Sequence, residues 1–323
     1  MTSFRMFRSG IKRYLIKWAV SIALIFFALR AVEIDSVFSA LKSVELSLYA
    51  MVIFTAWCIQ LATTAKWRLL NSTLDFWQMF RTNIVSHYYA FLVPSSLTGD
   101  VARVLKLEGA NQNRDLHAAV VIVDRLTGLL AAFLLLAVLA PLYSSRHEIM
   151  GHYIGAISIT GFALMATLSF LYTLPLGRKA RLSTIQLFRR QTHLPKYFAQ
   201  AAKMVVISGR LMKWHLISKS IVSGVGIQLM TAAYQYMLFT AFSVQISFID
   251  SVVVTVLSQL ASTIPLGIAG IGPRDLSIVG FATASGALKS NVVASLVAGY
   301  PVILMIVLCG LWLDAKVDAV KLK

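Results

Sequence analysis

Charged residues follow two glycine- and proline-containing stretches in an otherwise apolar sequence. The second stretch, TIPLGIAGIGPRDLSIV, places Arg274 and Asp275 directly after Pro273. Glycine permits backbone conformations closed to other residues and proline suits the first helical position, so the pattern predicts a helix over 274–287. Its N-terminus would present N–H groups and a partial positive charge beside the forked donor of Arg274. The predicted anion-binding residues here are Gly270, Gly272, Arg274 and Asp275.

The first stretch, FLVPSSLTGDVARVLKL, offers hydroxyl groups and a carboxylate directly after Pro94. Asp100 can cap a short helix that bears Arg103. Both stretches are therefore predicted to hold a polar or anionic group at membrane depth. The predicted binding residues here are Ser95, Ser96, Asp100 and Arg103.

A third polar feature, Asp124 and Arg125, lies within the apolar run AAVVIVDRLTGLL. Each charge costs about 2.5 to 3.5 kcal/mol at a lipid-facing helix centre, so both should face protein or water. Adjacent helix positions diverge by about 100°, so the two should not pair with each other. An interfacial pair that extends to the cytoplasmic headgroups is the alternative. The candidate partners are Arg103 or Arg274 for Asp124, and Asp100 or Asp275 for Arg125.

The composition places these residues in a membrane protein. Hydrophobic residues make up 58% of the 323 positions and charged residues only 13%, a balance that no soluble domain of this length needs. About 20 helical residues cross the hydrocarbon layer. Six runs are long enough: 14–30, 46–64, 118–142, 154–175, 215–242 and 291–313.

The basic residues alternate with the predicted spans. Six crossings with both termini in the cytoplasm satisfy the positive-inside rule, so the net charge of +17 indicates contact with anionic lipid rather than nucleic acid. Segment 176–214 has no acidic residue and is predicted to be an amphipathic helix on the inner leaflet, with partner docking as the alternative. Cys58 and Cys309 both lie in apolar runs, and no nucleotide-binding signature is visible. No metal or cofactor is therefore predicted.

An internal repeat relates the two stretches. The runs 74–93 and 248–264 each end at a proline, and an offset of 171 aligns Pro94 with Pro265 together with the flanking spans. If each run enters and leaves on one face, three crossings separate the copies, which are then inverted. Helices that cross fully with a kink are the alternative. The predicted fold is one all-α membrane helix bundle with two re-entrant or broken helices, repeat A about 46–142 and repeat B about 215–313.

The order of these motifs resembles a known family. The chain is similar to the transmembrane-region family of lysylphosphatidylglycerol synthases in three motifs and in their order. These are P-x4-G-D-x-x-R, then an acidic-Arg-Leu sequence that opens a span, then P-x3-A-G-I-G-P-R-D. This flippase-like domain occurs alone or fused to catalytic domains, and the resemblance covers about 10–313. The family commonly has Gly where this chain has Ala269 and Glu where it has Asp275; Pro273 falls at a variable position.

The resemblance implies translocation of a phospholipid or lipid-linked head group between leaflets of a bacterial cytoplasmic membrane. Lipids with anionic or phosphate head groups would be the partners. Assembly into a homo-oligomer is a further possibility. Aminoacyl transfer in the fused relatives resides in a separate cytosolic domain, which is not expected within 1–323, so a transporter is favoured over an enzyme. The alternative is a membrane-embedded enzyme or accessory subunit that acts on a lipid-linked intermediate with an aspartate as base.

Overall fold

The described part of the chain is entirely helical. A computed structural model describes residues 45–72, 74–92, 98–107, 114–145, 148–173, 213–263 and 272–321, and no strand occurs among them. Within these ranges the helices are α1 Leu46–Leu70, α2 Phe76–Leu92, α3 Thr98–Lys106, α4 Arg114–Ser144, α5 Glu148–Thr173, α6 Trp214–Ala241, α7 Phe248–Ser262, α8 Pro273–Ala284 and α9 Lys289–Lys321. The all-α fold class is confirmed.

Four of the predicted membrane spans coincide with long apolar helices. The helical segments that can cross a bilayer by length and composition are Leu46–Leu70, Asp115–Ser144, Trp214–Ala241 and Lys289–Ala315. At 1.5 Å per residue, the 25 residues of α1 extend about 38 Å, more than the hydrocarbon layer of about 30 Å. Helix α5 overlaps the predicted span 154–175, and the span 14–30 lies outside the described residues.

Helices α2 and α7 are shorter than a full crossing. Their 17 and 15 residues extend about 26 Å and about 22 Å, less than the hydrocarbon thickness. Asp75 fixes the start of α2 because its Oδ2 accepts from the N–H groups of Trp77 at 2.8 Å and Gln78 at 3.2 Å. The short lengths suit re-entrant elements, but re-entry and the inverted repeat stay predictions. Of the predicted cytoplasmic segment 176–214, residues 176–212 lie outside the described residues.

Two compact units divide the chain. Unit 1 comprises Met1–Gln60, Asn83–Ala102 and Leu229–Lys323, and unit 2 comprises Leu61–Thr82 and Arg103–Gln228. Each unit contains one of the polar sites described below.

Close helix packing in unit 1 centres on α9. Helix α8 packs against both α7 and α9. The backbone of α9 approaches α2 at Gly310, where an added Cβ would lie 2.6 Å from the carbonyl oxygen of Ile84. The Tyr49 hydroxyl of α1 donates to the carbonyl of Ala298 in α9 at 2.7 Å. These contacts fix the part of α9 that faces the first residues of α8.

Small residues bring the helices of unit 2 together. Helix α4 packs against α5, and an added Cβ at Gly224 of α6 would lie 2.8 Å from the Cβ of Ala131 in α4. Thr127 of α4 and Ser220 of α6 form a buried hydroxyl pair at 2.8 Å. Glycine contacts and hydroxyl pairs of this kind are typical of helix packing in membranes. A buried apolar cluster in this unit consists of Trp67, Leu70, Leu74, Met79, Leu107, Val120, Val121, Val123 and Ile217.

Candidate functional site

The first polar site is built on the N-terminus of α8. The helix begins at Pro273, as predicted, and Gly272 precedes it with φ 113°, a conformation that favours glycine. The Gly272 N–H donates to Oδ2 of Asp275 at 3.4 Å. The helix ends at Ala284 rather than at the predicted 287, because the chain turns at Gly286 with φ 93°.

Arg274 lies side-on against the carboxylate of Asp275. Its Nε and Nη2 both donate to Oδ1, at 3.0 Å and 2.8 Å. The Asp275 side chain is 7% exposed and that of Arg274 is 25% exposed. A guanidinium has five N–H donors, and this contact uses two of them. The remaining donors contact no other residue within the described ranges, so they are available to a ligand.

Two tyrosines complete the first site. The Tyr300 hydroxyl donates to Oδ2 of Asp275 at 2.9 Å. The Tyr234 phenol lies within electrostatic range of Arg274, and its hydroxyl is 3.6 Å from the position of a Cβ added at Gly299. Neither tyrosine was predicted from the sequence, since a tyrosine within an apolar span carries no sign of its partner. The site therefore combines one cation, one carboxylate and two phenols.

The sequence predicted an open, positively polarised helix N-terminus at the first site, whereas the structure places the Asp275 carboxylate there. Asp275 already accepts one N–H of the N-terminal turn and forms the ion pair with Arg274. The pair has a formal charge of zero, which lowers its cost among membrane helices. An incoming anion would meet the unused guanidinium donors and the positive end of the α8 dipole rather than a bare cation.

The second polar site surrounds Asp124 in unit 2. Lys66 Nζ lies 2.8 Å from Asp124 Oδ1 and donates to the Asp124 carbonyl oxygen at 3.1 Å. Arg103 Nη1 lies 3.9 Å from Oδ2, longer than a hydrogen bond. Asp124 thus has cationic partners, as expected for a charge in an apolar span. The predicted partner Arg103 is the more distant of the two, and the other candidate, Arg274, pairs with Asp275.

Lys66 and Trp67 belong to the second site although the sequence did not predict them there. Lys66 lies four residues before the end of α1, where a lysine in sequence indicates only headgroup contact. Its side chain is 6% exposed. The Arg103 guanidinium lies over the Trp67 ring at 5.6 Å, a cation–π contact. We call Lys66, Trp67, Arg103 and Asp124 the Lys66 cluster.

The other predicted site residues are dispersed. Asp100 is buried in the first turn of α3, and Gly99 beside it approaches the backbone of Ser86. Arg125 is exposed while the Asp124 side chain is 14% exposed, as their divergence around the helix predicts. Ser95, Ser96 and Gly270 lie outside the described residues, and their role stays a prediction. Within the described ranges, no group of three or more His, Cys, Asp or Glu is placed to hold a metal ion.

Comparison with known families decides the affiliation of this chain. A family model described as the lysylphosphatidylglycerol synthase TM region matches residues 14–312. The chain belongs to this family. Membership in the lysylphosphatidylglycerol synthase transmembrane-region family confirms the resemblance seen in the motifs and, with the four apolar helices, an integral membrane protein. No functionally curated protein matches the chain significantly.

Proposed function

We propose that this chain is a lipid carrier that moves a phospholipid or a lipid-linked head group between the leaflets of a bacterial cytoplasmic membrane. Family membership and the apolar helices place it in a membrane. Charged side chains are costly there and commonly mark a substrate path. The two polar sites supply such side chains: Lys66 and Asp124 lie in helices long and apolar enough to cross a membrane, and Arg274 and Asp275 lie at the start of α8.

Arg274 is the observation that supports this proposal most strongly. Its side chain is a quarter exposed, and its guanidinium is held by Asp275 and keeps unused donors. A planar guanidinium matches two phosphate oxygens with parallel N–H donors, and phosphate is common to phospholipid and lipid-linked head groups. Tyr300 binds Asp275, and Asp275 holds the Arg274 side chain in place before a ligand arrives. Ligand binding therefore requires less ordering of side chains.

The neutral Arg274–Asp275 pair also suits a carrier. A bare arginine in hydrocarbon would hold a phosphate tightly and release it slowly, whereas a carrier must release its ligand on the other side. Asp275 reduces the attraction while keeping the guanidinium oriented. Only the head group needs this polar environment, since the acyl chains can stay in the bilayer.

Transport of labelled phosphatidylglycerol in reconstituted vesicles tests the proposal. Arg274→Gln removes the guanidinium group, and we expect the translocation rate to fall at least tenfold. Arg274→Lys keeps the positive charge but lacks the parallel N–H donors of the guanidinium, so it should give an intermediate rate. Arg68→Gln, an exposed arginine in the last turn of α1, is the matched control and should translocate normally.

The carrier proposal is wrong if Arg274→Gln translocates lipid as fast as the unmodified chain. Mass spectrometry of the vesicle lipids after the assay adds a second criterion. A carrier returns chemically unchanged lipid, whereas a membrane-embedded enzyme would leave a covalently altered product.

A further inference from the structure

The Lys66 cluster contains hydrogen-bond donors that the chain itself does not use. An ammonium group has three donors. Lys66 donates one hydrogen bond, to the Asp124 carbonyl oxygen, and its Nζ forms an ion pair with Asp124 Oδ1. Its third donor has no partner within the described part of the chain. The indole Nε1 of Trp67, whose side chain is 2% exposed, also finds no acceptor there. Buried polar groups are normally paired, so each of these unused donors calls for an acceptor.

Space beside the lysine is provided by Gly128. An added Cβ at Gly128 would lie 3.7 Å from Lys66 Nζ, and within the described residues no other atom from another helix lies within 4 Å of it. Any other residue at position 128 would place its side chain next to the ammonium group. The glycine keeps this position free of a side chain.

The charges of the cluster favour an anionic acceptor. Lys66 and Arg103 both face Asp124, so one carboxylate lies between two cationic side chains. The carboxylate binds Lys66 closely and Arg103 only at 3.9 Å. An anion that approaches Lys66 therefore meets a second cation nearby, which favours a negative charge over a neutral polar group.

We propose that the Lys66 cluster is a second anion site, in unit 2, which binds the phosphate group of the head group that the protein carries. This inference rests on the proposed function and extends it, because the first site lies in unit 1 around Arg274. The phosphate oxygens accept from the third N–H of Lys66. Asp124 holds Lys66 in place and competes with the incoming anion, so it limits the affinity.

Calorimetric titration of the purified full-length chain in a neutral detergent with dioctanoyl phosphatidylglycerol tests the site. Lys66→Met should weaken binding at least tenfold. Asp124→Asn should strengthen it severalfold, because the competing carboxylate becomes neutral while both cations remain. Lys219→Met, an exposed lysine of α6 in the same unit, is the control and should bind as the unmodified chain does.

The opposite effects of the two main variants separate a ligand site from a structural ion pair. A purely structural pair predicts that Lys66→Met and Asp124→Asn change binding in the same direction, and this outcome would overturn the proposal. Gly128→Ala covers the case in which either variant fails to fold, since a Cβ 3.7 Å from Nζ makes only an ordinary contact. It should weaken binding at least threefold at an unchanged melting temperature; unchanged binding would overturn the site.

Titration with inorganic phosphate distinguishes the two sources of the phosphate group. Binding of the lipid that depends on Lys66 and exceeds that of inorganic phosphate assigns the site to the head group. If only inorganic phosphate binds in a manner that depends on Lys66, the site serves free phosphate and the lipid assignment is wrong. Binding is measured without transport, so normal translocation by Arg274→Gln would refute the carrier while binding that depends on Lys66 still stands.

Discussion

Asp275→Asn should destabilise the protein more than Arg274→Gln does, although each variant removes one member of the same ion pair. The two partners differ in what remains after the change. Asp275 keeps the Tyr300 hydroxyl at 2.9 Å and the Gly272 N–H at 3.4 Å as donors when Arg274 is replaced. Arg274 keeps no carboxylate within the described residues when Asp275 is replaced.

The expected magnitudes follow from this difference. Leaving a buried charge without its partner costs about 3 to 5 kcal/mol, and because Arg274 is 25% exposed we expect about 3 kcal/mol for Asp275→Asn. Arg274→Gln loses hydrogen bonds to a carboxylate that still accepts two others, so we expect it to lower the free energy of unfolding by about 1.5 to 2 kcal/mol. The double variant removes both charges and should cost less than the sum of the single variants by about 1 to 3 kcal/mol.

Unfolding by sodium dodecyl sulfate in mixed micelles, followed by tryptophan fluorescence, measures these free energies. Asparagine and glutamine keep the approximate shape of the side chains, so the comparison isolates charge. If Arg274→Gln costs as much as Asp275→Asn, the two remaining donors do not support the carboxylate as described. Additive costs in the double variant would show that the pair is not coupled.

Two further predictions concern packing and hydrogen bonding in unit 1, measured by the same unfolding assay. Tyr300→Phe should cost about 1.5 to 3 kcal/mol because it removes a donor to a carboxylate, whereas Tyr49→Phe loses a bond to a neutral carbonyl and should cost about 0.5 to 1.5 kcal/mol; equal costs would contradict an ionised acceptor. Gly310→Ala should destabilise by about 1 to 3 kcal/mol because its Cβ would lie 2.6 Å from the carbonyl of Ile84. Gly280→Ala, with no atom within 4 Å of its Cβ, should instead stabilise by up to about 1 kcal/mol, and the same sign for both would refute the close approach.

The helices were predictable because hydropathy and length leave few alternatives in a membrane. The predicted span 215–242 matches α6 to within a residue at each end. The predicted span 291–313 is shorter than α9, which continues to Lys321. A hydropathy window ends where polar residues begin, but backbone hydrogen bonding continues through them. The start of α8 was predictable for a local reason, since proline is suited to the first helical position.

The partners within the sites were not predictable from the sequence. Lys66 and Asp124 are 58 positions apart, and Asp275 and Tyr300 are 25 positions apart. An apolar run shows that a residue lies in a span but not which neighbouring helix it faces. The divergence of Asp124 from Arg125 could be predicted, because it depends only on the geometry of one helix.

The hydroxyl of Thr127 has a consequence for the order in which the chain enters the bilayer during synthesis. Its partner Ser220 is 93 positions later, so α4 is made well before α6. Until then Thr127 is not left unsatisfied, because its hydroxyl also donates to the carbonyls of Val123 and Asp124 in its own helix. The Thr127 hydroxyl is therefore satisfied before α6 is made, and it can accept from the Ser220 hydroxyl afterwards while it keeps donating within its own helix.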